Sequence, residues 1–230
     1  FREPESGAPP GPLAPQGWFE TFFADATVAV GPEKLRLALG SFAFMWTDGN
    51  PEPVSLPFAE AMRLIARHAS MIAVEEGSLN TRATFTTDDG RAAEIWLLDA
   101  VSLHNELVAL AQGSVAGVVL WPVGFEDPAA WPLFRRGADA PRSGALEAVT
   151  FPDYVGHVGE GPFRKLSLPA VTGQRRFFRD PATGLINGEI YDRVPRPVTV
   201  ERYGEAGAKD VALTFDDGPN PAATPALLDV

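Results

Sequence analysis

The hydrophobic period changes several times along the chain. Residues 1–17 show none, and their proline and glycine content reads as loop. From Trp18 to Ala29 the aromatic and aliphatic positions fit a short amphipathic helix. A Gly31-Pro32 turn leads into the apolar run Leu35 to Phe44, the pattern of a strand buried on both faces, as in parallel sheets. The stretch SLPFAEAMRLIARHA returns to helical spacing: Phe58, Met62, Ile65 and Ala69 share a face, and Ser55 offers an N-cap. Residues 81–98 alternate around Asp88-Asp89-Gly90, which predicts a hairpin turned at Asp-Gly. Leu103, Leu107, Leu110 and Ala111 predict another helix, capped by Ser102 or Asp99 and stopped at Gly113. Val115 to Trp121 predicts a second fully apolar strand, and DPAAWPLF a helical turn from Asp127.

With the hairpin set aside, residues 31–134 read strand, helix, strand, helix, the order of an α/β fold with a parallel sheet. Two such units close nothing by themselves, but they fit one arc of a (β/α)8 barrel of about 250 residues. After Arg136 the period changes again. Residues 137–144 read as a polar linker, and 145–205 give short β-prone pieces such as EAVTF, RKLSLPA, QRRFF, LINGEIY and VTVERYG, with a turn at DPATG. A further strand, Asp210 to Phe215, runs into the string TFDDGP. No internal repeat or low-complexity tract is present.

Composition narrows the chemistry. A net charge of −11 over 230 residues argues against nucleic acid, whose phosphates need clustered Lys and Arg, and against an anionic membrane surface. The absence of cysteine excludes disulfides, cysteine-based zinc sites and thiol catalysis. No apolar run reaches the roughly 18 residues that cross a bilayer. The opening FREPESGAPPGPLAPQ, without a methionine, reads as a cut rather than a natural terminus, so any membrane attachment is expected outside this chain. Asp216 and Asp217 stand out because they follow the apolar run VALTF and precede a Gly-Pro turn; two adjacent carboxylates at a strand end repel unless a cation lies near. The simple alternative is a turn, as at Asp88-Asp89-Gly90. The histidines His68, His104 and His157 have no ligand-like spacing.

Thr214 to Pro219, with Thr224-Pro225 opening the next helix, resembles the first motif of NodB-like polysaccharide deacetylases, carbohydrate esterase family 4. The segments 10–19, 33–46, 77–100 and 117–131, in that order, resemble the C-terminal part of a glycoside hydrolase family 18-like barrel. The resemblance implies three parts: 1–136 as the end of such a barrel, 137–205 as linker and β-rich connector, and 206–230 as the start of a deacetylase domain. The expected fold class is α/β, a partial (β/α)8 TIM-like barrel plus the connector and the first deacetylase strand, with Leu35–Phe44 and Val115–Trp121 as barrel strands seven and eight.

By the same resemblance, Asp216 is the general base that activates water and Asp217 a ligand of a divalent metal such as zinc, which lowers the pKa of bound water and polarises an acyl oxygen. The substrate implied is an N-acetylated polysaccharide or chitin-like glycan, and the location the cell envelope. The family's two histidines and the barrel's acidic signature lie outside this sequence, so the chain alone is expected to hold an incomplete deacetylase site and no tightly bound metal. Where the barrel family favours Tyr-x-Tyr-Asp-Trp, this chain has Phe42-Ala43-Phe44-Met45-Trp46, which removes polar groups from a strand end. A carbohydrate-binding or spacer module is the alternative reading.

Trp121, at the end of the second apolar strand, is read as a sugar-stacking residue or as barrel core. Trp46 carries the same two readings, whereas Trp18, Trp96 and Trp131 are read as packing. Asp99 is read as a helix cap or a group at the barrel mouth, and Asp127 as a cap. Arg175, Arg176 and Arg179 are read as a solvated strand face.

Overall fold

The computed structural model describes residues 1–134, 146–205 and 219–229. The apolar run after the Gly31-Pro32 turn forms two strands, not one: β1 (Arg36–Gly40) and β2 (Phe42–Thr47), separated by Ser41. β1 pairs in parallel with the other apolar strand, here β7 (Gly117–Trp121), from Arg36↔Gly117 to Gly40↔Trp121. Helices α1 (Gln16–Val30) and α3 (Ala100–Ala111) cover one face of this pair, with Phe19, Phe23, Leu37, Leu39, Leu103 and Leu110 buried between them. This is the α/β part of the molecule. Among the described residues it has two parallel strands and no closed barrel.

β2 leaves that pair and enters a five-stranded antiparallel sheet of order β3-β2-β6-β5-β4, built with β3 (Asn50–Leu56), β4 (Met71–Val74), β5 (Thr81–Thr86) and β6 (Ala92–Leu98). Strand alternation divides its side chains between two cores. Ala43, Ala83, Ile95 and Leu97 face α2 (Phe58–Arg67), where Phe58, Met62 and Ile65 are fully buried. Phe42, Trp46, Trp96 and Leu98 face the opposite way, onto Leu13 and Ala14 of the N-terminal segment. An apolar run buried on both faces fits a parallel strand and a central antiparallel strand equally, which is why β1 and β2 read as one.

The second helix therefore packs on this sheet and is not a barrel crossover. Its N-cap position is Pro57 rather than Ser55, which lies in β3, and Ala69 at φ 48 turns the chain away after the helix. The hairpin at Asp88-Asp89-Gly90 forms as expected, with Gly90 at φ 83. A 3₁₀ helix, Pro128–Phe134, follows β7.

Residues 146–205 are β-rich as the pattern indicated. They make one sheet of β12 (Ile186–Arg193), β11 (Gly173–Arg179) and β8 (Ala148–Val149), and another of β10 (Phe163–Leu168), β13 (Val198–Tyr203) and β9 (Val155–Val158). They pack against the rest of the chain, with Val149 and Phe151 joining the core under α2 and β12 lying alongside β4 and α3. At the C-terminal end a short helix, α4 (Thr224–Leu228), opens at the Thr-Pro pair.

Candidate functional site

In a parallel α/β unit the strand C-termini are where side chains can converge on a ligand. At that end of the β1–β7 pair stands Trp121, 55% exposed, on a strand whose outer residues Val119 and Trp121 face away from the helices. Its partner Gly40 lies close under side chains: a Cβ there would come within 2.7 Å of Leu98 Cδ1 and 2.9 Å of Phe1 Cδ1 and Phe42 Cε1, so those side chains would have to shift.

The loop from Trp121 to Asp127 is fixed at both ends by one residue. The Ser41 backbone N–H donates to Trp121 O at 2.9 Å, and Ser41 Oγ accepts from the Asp127 backbone N–H at 3.1 Å. Inside the loop, Glu126 accepts from Gly124 N with one oxygen and from Trp131 Nε1 with the other, at 2.5 and 3.2 Å. Trp131, read from sequence as packing, is 44% exposed.

Asp127 caps the 3₁₀ helix as expected, with Oδ1 accepting from Ala129 N at 2.9 Å. Its other oxygen accepts from Ala100 N at 3.1 Å and from Arg175 Nη2 at 2.7 Å. Arg175 thus corrects the reading of the arginine cluster as solvated. It is wholly buried, and its remaining N–H groups reach Leu146 O, Glu189 Oε1 and the Tyr191 hydroxyl. Alternation along β11 was the available signal, because it places Arg175 on the face of Phe177, whose ring lies 5.0 Å from the guanidinium. Arg176 and Arg179 are exposed, with Arg176 paired to Asp192 at 2.8 Å.

Burial disfavours the Arg175 charge, but Asp127, Tyr191 and Glu189 outweigh it and hold the guanidinium well above its ordinary pKa. Burial and then the neighbouring Asp99 charge push Glu189 up to about 8, against the pull of Arg175. Asp99 caps α3 through Val101 N and Ser102 N, and burial raises it to about 6. Among the described residues, neither Glu189 Oε2 nor Asp99 Oδ2 has a hydrogen-bond partner.

Trp46 lies elsewhere, on the five-stranded sheet. It is 7% exposed and its indole N–H donates to Ala8 O at 3.0 Å. It also helps line a cavity of about 350 Å³ with Asp48, Asn50, Thr84 and Glu94. The structure does not bring it together with Trp121: the two belong to separate sheets, and the apolar cluster that holds Trp46 does not include Trp121.

Asp216 and Asp217 lie outside the described residues. Among the described residues no group of three or more His, Asp or Glu side chains is placed to hold a metal ion. His68 stacks on Phe85 at 4.7 Å, His104 bonds Gly184 O at 3.0 Å, and His157 stands exposed on β9. The described residues thus do not fit a divalent ion. What the C-terminal end of the strand pair offers is an exposed aromatic face beside a tied loop whose own carboxylate, Glu126, is engaged at both oxygens.

No family model matches the sequence, and no curated protein matches it. Solved structures do. A chitinase from Chromobacterium violaceum ATCC 12472 matches at 22% identity and TM-score 0.52 over 58% of this chain and 44% of that one. The spore cortex-lytic enzyme SleL of Bacillus megaterium QM B1551 matches at 21% identity and TM-score 0.51, covering 55% of this chain and 30% of the enzyme. SleL of Bacillus cereus matches at 20% identity and TM-score 0.50, covering 56% and 31%. The chain spans less than half the length of each of these structures. At such identities the likeness establishes the fold alone, one shared with part of that chitinase and of the two cortex-lytic enzymes.

Proposed function

We propose that this chain is part of an enzyme that modifies an N-acetylated, chitin-like polysaccharide of the cell envelope, and that its described part binds the glycan at Trp121. The observation that carries this reading is the exposure of Trp121 at the C-terminal end of the parallel strand pair. An indole face there is available to stack on the CH groups of a sugar ring, and burying it supplies apolar area in a neutral contact that suits an acidic protein. The fold shared with a chitinase and two cortex-lytic enzymes supports the substrate class. No described helix is long and apolar enough to cross a membrane.

The finer part of the proposal is deacetylation. The TFDDGP string, with Asp216 as general base and Asp217 as a metal ligand, is read as the opening of that activity, completed by residues beyond this sequence.

Titration with a chitin oligomer, followed by tryptophan fluorescence, tests the binding reading. A saturable change that disappears in Trp121→Ala is expected. No change in the wild-type chain would leave a spacer that orients its neighbours. Zinc titration of the chain and of Asp217→Ala tests the deacetylase reading: equal weak binding is expected, and tight Asp217-dependent binding would mean that the metal site is already complete here.

A further inference from the structure

We propose that the β-rich module positions the Trp121 loop, with Arg175 as the positioning residue acting through Asp127 and Ser41. The functional consequence rests on the glycan reading of Trp121; the positioning itself does not.

Three hydrogen-bond links join the module to the backbone of Trp121. Arg175 Nη2 donates to Asp127 Oδ2, the Asp127 N–H donates to Ser41 Oγ, and the Ser41 N–H donates to Trp121 O. Ser41 therefore closes the base of the loop, and Asp127 holds Ser41's hydroxyl from the far side. Arg175 comes from a strand 48 residues further along the chain. Its own place is fixed by Leu146 O, Glu189 and Tyr191, so it presents Nη2 to Asp127 from a rigid seat.

The chemistry favours positioning over simple adhesion. A buried ion pair adds little net stability compared with apolar residues of the same volume. A planar guanidinium instead fixes directions, since its N–H groups leave in a set fork that a lysine ammonium cannot reproduce. The groups facing Arg175 engage all three nitrogens of that fork and four of its five N–H groups: a buried carbonyl, two buried carboxylates and a half-buried phenol. If the Arg175 link is lost, Asp127 is left as an uncompensated buried carboxylate and shifts, its N–H leaves Ser41, and the loop base opens. Trp121 is the last residue of β7, and an aromatic residue whose adjoining loop is untied must be ordered when the sugar binds, which weakens affinity roughly two- to tenfold.

The test uses the whole chain labelled with 5-fluorotryptophan, the Trp121 fluorine resonance being assigned by its loss in Trp121→Phe. Arg175→Lys keeps the charge and removes the fork; Ser41→Ala removes the hydroxyl and touches no buried charge; Ser41→Thr restores it. The Trp121 line is expected to shift or broaden in Arg175→Lys and Ser41→Ala, to return in Ser41→Thr, and the Trp46 and Trp96 lines to hold throughout. If Arg175→Lys disperses all five lines, Arg175→Met with Asp127→Asn, which removes both charges together, takes its place under the same criterion. A Trp121 line that stays put in either the Ser41→Ala or the Arg175 variant overturns the proposal. A parallel chitin-oligomer titration separates the two readings. Absence of binding by the wild type sinks the glycan reading and leaves the fluorine result to decide this one. Binding with an unmoved line sinks only the positioning.

Discussion

The carboxamide of Asn105 pairs with the backbone of Ile186 as a neighbouring strand would: Ile186 N donates to Oδ1 at 2.7 Å, and Nδ2 donates to Ile186 O at 2.9 Å. Asn105 lies on α3 and Ile186 opens β12, so one side chain joins the helix behind the parallel strands to the β-rich module. Both residues are fully buried. An amide offers an acceptor and a donor side by side without having to hold a proton.

Asn105→Leu is expected to cost about 2–6 kcal/mol, because two buried backbone groups lose their partners at about 1–3 kcal/mol each. Urea unfolding would give the loss, and hydrogen exchange at the Ile186 amide its location. Unchanged protection at Ile186 would mean that the module docks without this pair.

Trp46 and Trp121 should respond in opposite ways to truncation. Trp46 is enclosed by Leu13, Phe42 and Trp96 and bonded to Ala8 O, so Trp46→Ala is expected to destabilise by roughly 3–5 kcal/mol. Trp121 is more than half exposed, and Trp121→Ala should stay within about 0.5 kcal/mol. Thermal unfolding of the two variants decides it. Equal losses would place Trp121 in a core.

These contrasts show what the sequence carried and what it did not. Period and turn chemistry were enough for α1, for α2, for the Asp-Gly hairpin and for β7, because each has its own apolar rhythm or stop signal. They were not enough to part β1 from β2, since burial on both faces leaves no alternation to read. The Trp121 position followed from strand order, whereas Asn105 and Arg175 lay hidden. A lone amide on a helix and an arginine in QRRFF look solvated until a distant segment is known to cover them, and which segment does so is a matter of tertiary contact.

Gly161 is expected to resist substitution. It sits at φ 132 in the connection between β9 and β10, and a Cβ there would come within 2.2 Å of Tyr203 O on the neighbouring strand β13. Backbone cannot swing aside as a flexible side chain can. Gly161→Ala should therefore lower stability by more than about 1 kcal/mol, whereas Gly49→Ala, whose Cβ meets nothing within 4 Å, should pay only for its positive φ. Urea midpoints that fall equally in the two variants would show that the contact with β13 is not tight.

The buried carboxylates set the pH dependence. Burial raises Glu106 and Glu189 to about 8 and Asp99 to about 6. A carboxyl raised in the folded state holds a proton that the unfolded chain releases, so its contribution is complete below the ordinary carboxylate range and is lost as pH climbs to the folded value. Stability should accordingly fall from near pH 5 towards pH 8. His104, lowered by burial, acts in the opposite sense below its ordinary 6.5, and the Phe1 amino group, also lowered by burial, opposes near 8. The cleaner measurement is a difference. Glu189→Gln keeps the acceptor for Arg175 Nη1 and removes the titration. Between pH 6 and 7.5 the variant should gain on the wild type, with a slope approaching about 1.4 kcal/mol per pH unit, the value for one released proton. Parallel urea-unfolding curves across that range, with no relative gain, would mean that Glu189 is already ionised beside Arg175 and that the cluster holds its second carboxylate charged.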